Sequence, residues 1–190
     1  MKTKVKTNAT ADAMIERGAS LVEKALIGTL WQWEQWRDGK LVDSWVERNL
    51  CVNQGLTYLL GAGFSAVTAI SAWYVAIYDN NHTPASNNTY ATPGFTEATN
   101  YSEATRPAWS KGAVTARTLT NTASKASFTF SSAATIYGAA LVGGGTAATT
   151  KGNVAGGGQL FNISAFSSGA KGMASSDVLK VTVALTVQDV

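Results

Sequence analysis

The chain is short of the groups from which most catalytic and metal sites are built. It has one cysteine, Cys51, and one histidine, His82, in 190 residues. A lone cysteine excludes an intramolecular disulfide framework, and with a lone histidine it removes the usual zinc and iron ligand sets. No metal or other cofactor is expected. Charge is sparse as well, at 14% of residues with a net +3. Apart from Lys2, Lys4 and Lys6 there is no basic run, which argues against a nucleic-acid footprint. No segment approaches the ~20 consecutive apolar residues of a membrane span, so no membrane partner is expected. After the basic opening Met1 to Thr7 come Asn8, Thr10, Asp12 and Glu16, too polar for the apolar part of a secretory signal. The mature chain is expected to keep its N-terminus.

The charge that is present is unevenly placed. Residues 1–50 hold 15 charged side chains and residues 51–190 hold 12. The charge-poor part is Ala, Gly, Ser and Thr punctuated by β-branched and aromatic residues, which favours short strands joined by loops. It predicts a mainly β fold, with a β-sandwich or jelly-roll domain over 51–190. Ahead of that domain stand an N-terminal arm over 1–28 and a Trp-rich β-hairpin over 29–50.

In the arm, Met14, Ile15, Gly18, Leu21, Val22 and Ala25 recur at helical spacing, and Ser20 to Glu23 has the pattern of a capping box. A short amphipathic helix is predicted. Isolated helices below ~12–15 residues are marginal in water, so its apolar stripe needs a surface. That surface belongs either to another subunit or to the arm's own domain.

The hairpin turns at Asp38-Gly39, a pair that tolerates the positive φ angles of a type I′ turn. Its strands are predicted over Leu30 to Arg37 and Lys40 to Arg48. In the two-residue-turn register Trp36 faces Leu41, and Trp31 and Trp33 share a face with Val42 and Val46. The same register sets Glu34 against Asp43, a like-charge cost acceptable only on a solvated or cation-binding face. Four indoles, Trp31, Trp33, Trp36 and Trp45, are more ring surface than a hairpin alone can bury. Packing or a subunit interface is the favoured use; stacking on a carbohydrate is the alternative.

Beyond the hairpin, Asn53 is placed to cap a brief helix carrying Leu56, Leu59 and Leu60, with Gly61 and Gly63 to end it. Strands are predicted over Trp73 to Tyr78, Ser127 to Phe130, Thr135 to Val142, Leu160 to Phe166 and Val178 to Val187. In the last, Val181, Val183, Leu185 and Val187 share one face. Two long stretches, Asp79 to Asn100 and Gly143 to Gly158, read as contact loops that order on assembly.

Catalytic chemistry finds little support. His82 lies in a turn-like run, Asn80-Asn81-His82-Thr83-Pro84, and no second histidine is available to act as a base. Cys51, between Leu50 and Val52, reads as a buried inert thiol. The carboxylates near one another in sequence, Glu34 with Asp43 or Glu47 and Glu97 with Glu103, have no cleft signature around them. Gly143 to Gly145 and Gly156 to Gly158 lack the lysine of a phosphate loop and read as flexible tips. A non-enzymatic structural or interaction module is expected.

Several phrases of the chain are similar to those of a group of small structural proteins of tailed bacteriophage virions. They are Val52-Asn53-Gln54-Gly55-Leu56 with Leu59-Leu60, Trp73-Tyr74-Val75-Ala76-Ile77-Tyr78, and Tyr90-Ala91-Thr92-Pro93-Gly94-Phe95-Thr96-Glu97. Thr105-Arg106-Pro107-Ala108-Trp109, Ile136-Tyr137-Gly138-Ala139-Ala140-Leu141-Val142 and Asp177-Val178-Leu179-Lys180-Val181-Thr182-Val183 continue the series. The resemblance covers residues from about 41 to 190. It implies a capsid decoration or cement protein: a β-sandwich on the outer surface of the phage head, bridging capsomers, made in the bacterial cytoplasm. The implied partner is the major capsid protein or further copies of this chain. A tail or collar component, or a tail-fibre-like adhesin binding host-surface carbohydrate, is the alternative. Composition puts the expected contact residues at Met14, Ile15, Leu21 and Val22 in the arm and Trp31, Trp33, Trp36 and Trp45 in the hairpin.

Overall fold

The computed structural model describes residues 26–188. Met14, Ile15, Leu21 and Val22, and with them the expected arm helix, lie outside the described residues.

Strands β1 (Leu26–Arg37) and β2 (Lys40–Arg48) form the predicted hairpin. Its turn places Asp38 at φ 49° and Gly39 at φ 73°, the two positive angles a type I′ turn requires. The hairpin is not a separate unit from the sandwich. Along its other edge β1 pairs with β11 (Val178–Gln188), antiparallel and in unbroken register from Leu26↔Gln188 to Trp36↔Val178. The expected boundary near residue 50 is therefore corrected. A two-stranded ribbon cannot bury its own apolar face, and the alternating face of β11 supplies the surface it lacks.

Between them run β3 (Leu50–Cys51), helix α1 (Asn53–Phe64), β4 (Trp73–Tyr78), β5 (Thr118–Thr120) and β6 (Ala126–Thr129). β7 (Ala134–Ile136), β8 (Gly138–Gly143), β9 (Gln159–Ala165) and β10 (Lys171–Met173) precede β11. The first sheet runs β2-β1-β11, with β5 and β6 sharing the far edge of β11. The second sheet runs β3-β9-β8-β4, and β10 and β7 make a small ribbon. The predicted strand over Thr135 to Val142 is two strands broken at Tyr137. The Tyr137 backbone there leaves its neighbours to bond Tyr78 and Phe166.

The two sheets pack face to face as a β-sandwich. Trp31 and Trp33 of β1, with Leu179, Val181 and Val183 of β11, meet Val75 and Ile77 of β4 and Leu141 of β8 in one core. Val187, expected on that face of β11, stays exposed at the strand's end. The second sheet is apolar on its other face too, where Ala76, Tyr78, Ala140, Val142, Leu160 and Ile163 form a further cluster with Val52 and Tyr90. Burial on both faces is why these strands read as continuous apolar runs rather than alternating ones.

Helix α1 starts one residue earlier in role than predicted. Val52 occupies the N-cap position and Asn53 is already helical, so Asn53 makes no side-chain cap. The Val52 carbonyl instead accepts the Leu56 N–H at 3.0 Å. Gly61 and Gly63 lie within the helix rather than after it. Gly55 sets how closely the helix sits on β9, because a Cβ there would lie 2.3 Å from the Phe161 carbonyl oxygen.

The loops expected to order only on assembly are held within the chain itself. Arg106, 2% exposed, donates from Nε and Nη2 to both oxygens of Glu97 at 2.8 and 2.6 Å. Its remaining donors reach the Tyr90 hydroxyl and the carbonyls of Ala148 and Asn153. All five guanidinium N–H groups are thereby used to tie the 79–106 segment to the 144–158 segment. Of the two glycine triplets, Gly143, Gly144, Gly145, Gly156 and Gly158 are close contacts rather than flexible tips, and Gly157 alone faces open space. Gly145, at φ 61°, has the Gly156 oxygen 2.3 Å from where a Cβ would be.

Candidate interaction surface

The register of the hairpin decides which of its side chains are available to a partner. The turn-proximal pairs Arg37↔Lys40 and Trp36↔Leu41 are as predicted. A bulge then inserts Val42, so that Gln35 faces Asp43, Glu34 faces Ser44 and Trp33 faces Trp45. One extra residue turns the rest of β2 over. Trp45 and Glu47 point into the sandwich, while Val46 joins Leu30, Gln32 and Ser44 on the outer face.

Two consequences correct the expected contact residues. Trp31 and Trp33 are 0% and 1% exposed within the protein's own core and cannot touch a partner. Trp33 is stacked between Trp31 and Trp45, at ring separations of 5.6 and 5.9 Å, with Phe166 edge-on. The indole N–H groups of Trp31, Trp33 and Trp45 have no acceptor, so these rings serve as packing surface alone. Trp45 is half-buried beneath Lys171, whose ammonium lies 4.6 Å from the ring centre. Only Trp36 stands on the outer face, half-buried beside Lys180 at 4.6 Å. The structure thus brings Trp31, Trp33 and Trp45 together inside and separates Trp36 from them.

The bulge also removes the expected clash of Glu34 with Asp43. Glu34 accepts from Lys125 and from Trp36 Nε1, and the Lys125 hydrogen bond is the main reason its carboxyl titrates below its ordinary value. Asp43 pairs with Lys171 at 2.9 Å. Among the described residues no group of three His, Cys, Asp or Glu side chains converges as metal ligands would.

Asp177 anchors the hairpin's end. Its carboxylate accepts from Arg37 Nε and Nη2 at 2.7 Å each, from Gln35 Nε2 at 2.8 Å and from the Ala174 N–H at 2.9 Å. The Arg37 guanidinium, more than any other group, holds this carboxyl far below the usual carboxylate range. Asp177 and Arg106 were not singled out from sequence. The available signal was scarcity, since a charge inside so charge-poor a segment has to be either exposed or buried with a full set of partners.

The other polar candidates are engaged in the fold. Glu47 accepts from the Ser167 N–H and hydroxyl, and Glu103 from the Thr129 N–H. Glu97, bound to Arg106, is thus not paired with Glu103. His82 Nε2 is 3.1 Å from Asn88 Oδ1, with its ring near Tyr78 and Phe95. Cys51 is half-buried, and burial pushes its thiol above the ordinary range, away from the reactive thiolate.

Among the described residues, two groups of apolar side chains stand exposed. One is the outer face of the first sheet, where Leu30, Leu41, Val42 and Val46 are exposed and Trp36 is half-buried. The second comprises Leu60 and Phe64 of α1 with Val67 just beyond it. No described helix is long and apolar enough to cross a membrane.

Fold and surface together define a mainly β antiparallel sandwich with exposed apolar side chains on the outer face of its first sheet. No protein-family model, no curated protein and no solved structure matches the chain.

Proposed function

We propose that this chain is a non-enzymatic structural protein of a tailed-phage virion. In this reading it is a capsid decoration protein that binds the major capsid protein on the outside of the head. The observation that carries the reading is the asymmetry of the two sheets. The second sheet is covered on both faces, whereas the outer face of the first carries exposed Leu30, Leu41 and Val46 on strands braced by β11. Scattered apolar residues are ordinary on a surface, but a sheet face bearing them on a rigid support is suited to docking. The resemblance of phrases between Val52 and Val183 to virion structural proteins favours the same role.

The expected contact residues change accordingly. Leu30, Trp36, Leu41 and Val46 take the place of Trp31, Trp33 and Trp45. The carbohydrate-binding alternative is weakened by the same burial, since a sugar stacks on exposed rings and, of the four hairpin indoles, Trp36 is the one on the outer face.

Antibody labelling of purified virions by electron microscopy tests the proposal. Label over the heads, lost when Leu41→Asp and Val46→Asp are introduced together, is the expected result. Label confined to tails or collars moves the chain to those structures. Particles without label, with Trp36-dependent binding on a glycan array, replace the proposal with the adhesin reading.

A further inference from the structure

Among the described residues, the chain closes the edges of its two main sheets everywhere but along one strand. On the edge of β4 the backbone N–H groups of Val75, Ala98 and Trp109 donate to the carbonyls of Pro107, Ile77 and Trp73 at 2.9, 2.9 and 2.8 Å. On β6 the Thr129 carbonyl accepts the Ser102 N–H, and the Thr129 N–H is taken by the Glu103 carboxylate. On β5 the Thr120 carbonyl accepts the Gly112 N–H. β3 is only two residues long. β2, at nine residues, pairs with β1 on one side and with no other described strand.

The register gives the direction of its unused backbone groups. A two-residue turn closes on a hydrogen-bonded pair, here Arg37↔Lys40, and antiparallel pairs then alternate between bonded and non-bonded. Past the bulge the bonded pairs are Gln35↔Asp43, Trp33↔Trp45 and Trp31↔Glu47, so the N–H and C=O groups of Ser44, Val46 and Arg48 point away from β1. The Arg48 carbonyl agrees with this direction, since it accepts the Ser164 hydroxyl of β9 at 3.3 Å. No backbone hydrogen bond from another described strand or loop reaches Ser44 or Val46.

An open edge is a template for one more strand, and proteins blunt it with proline, lysine or a bulge. β2 has Lys40 and the bulge at Val42 near its start, but residues 43–48 run in regular register. Its outer side chains are not those of a solvated edge. Leu41 and Val46 are 50% and 54% exposed.

The residues of β2 fit a second copy of themselves. A two-fold axis at Ser44 sets Ser44 against its own counterpart and Asp43 against Trp45 of the second copy. Because Val42 is the extra residue, the same axis sets Leu41 against Val46 and Lys40 against Glu47, each twice by symmetry. Apolar then meets apolar on the outer face, and no like charges oppose. An axis at Trp45 instead sets Asp43 against Glu47, which is repulsive. An axis at Val46 leaves only residues 44–48 to pair, with the Arg48 carbonyl already taken.

We infer that β2 pairs antiparallel with β2 of a second copy about a two-fold axis at Ser44, joining the first sheets of two chains into one continuous sheet. Main-chain hydrogen bonds hold the pair, and the Leu41 and Val46 contacts fix its register. This does not rest on the virion reading. It sets the outer faces of the two first sheets side by side.

Sedimentation and disulfide trapping of the purified full-length chain test it. The parent should sediment as a dimer at micromolar concentration. Leu41→Lys with Val46→Lys should sediment as a monomer with the parent's far-ultraviolet spectrum, since both side chains are exposed in the single chain. In a Cys51→Ser background, Ser44→Cys should link two chains under mild oxidation, because a bonded antiparallel pair holds its Cα atoms ~5.5 Å apart, within the ~4.4–6.8 Å a disulfide spans. Arg48→Cys is the control, four residues from the axis in each copy and so ~27 Å from its counterpart at ~3.4 Å per residue. Ser44→Cys should link on the order of 10²-fold faster than Arg48→Cys, because only the former holds its thiols at high effective concentration. A parent that is monomeric at every concentration, as when a segment of its own chain covers the edge, overturns the inference. So does a dimer that survives the two lysines, or equal linking by the two cysteine variants. No measurement needs a virion, so failure here is distinct from failure of the proposed function.

Discussion

Trp33 and Trp45 stack across the β1–β2 hairpin with ring centres 5.9 Å apart and planes 3° from parallel, and they do so because Val42 bulges out of β2. Without the bulge Trp45 would face outward and Val46 would point into the core. The indole offers more apolar surface to bury than the isopropyl group, and burial of apolar area is worth ~25 cal/mol per Å². The bulge also parts Glu34 from Asp43. Both gains favour the same irregularity.

This pairing predicts opposite responses from neighbouring residues. Trp45→Ala should lower stability by about 2 kcal/mol, below the ~3–5 kcal/mol of a fully buried tryptophan because the ring is half-exposed. Val46→Ser should stay within ~0.5 kcal/mol. Urea midpoints of the two variants measure this, and a larger loss at Val46 would restore the unbulged register.

Arg106 should behave as a buried charge with a single task. Arg106→Met leaves the Glu97 carboxylate buried without its partner and should cost about 3–5 kcal/mol. Adding Glu97→Leu removes the stranded charge and should recover part of that loss. Limited proteolysis of Arg106→Met should cut first within residues 79–105 or 144–158, the segments this side chain ties together.

The stability supplied by Asp177 should depend on pH with a definite sign. Its carboxyl is depressed in the folded chain, chiefly by the hydrogen bond from Arg37, relative to an ordinary value of ~3.9. Such a group contributes fully above the unfolded value and loses its contribution as pH falls from there toward the folded value. Asp177→Asn should therefore be less stable than the parent at pH 7, and the difference should shrink steadily below about pH 4. Denaturation at a series of pH values from neutral downward gives the profile; a constant gap would show that the charge does not matter.

Gly55 tests the seating of α1. Alanine is the better helix former by up to ~1 kcal/mol, so propensity alone predicts that Gly55→Ala stabilises. The Phe161 carbonyl oxygen in the way predicts the reverse, a loss of about 1–3 kcal/mol as the helix is pushed off β9. Thermal or urea unfolding distinguishes the two by sign.

What was legible in the sequence is what depends on local pattern. The β class followed from composition, the hairpin from Asp38-Gly39, and β4, β9 and β11 from apolar runs with a period of two or with none. Even the packing role of the tryptophans was in reach, since four indoles exceed what a hairpin can hide. The short strands β3, β5 and β10 carried too few side chains for a pattern.

The sequence by itself determined that the chain would be a charge-poor β protein whose aromatic hairpin must be covered by something. Only the tertiary structure decided what covers it. β11, about 140 residues further along, pairs with β1, and the second sheet closes over Trp31 and Trp33. The same long-range packing placed the bulge at Val42, turned Val46 outward and joined Arg106 to Glu97. Register within a sheet is settled by which face gains most on burial, and that gain depends on partners that local pattern does not name. The outer face of the first sheet, and with it the proposed contact surface, is therefore a property of the fold and not of any one segment.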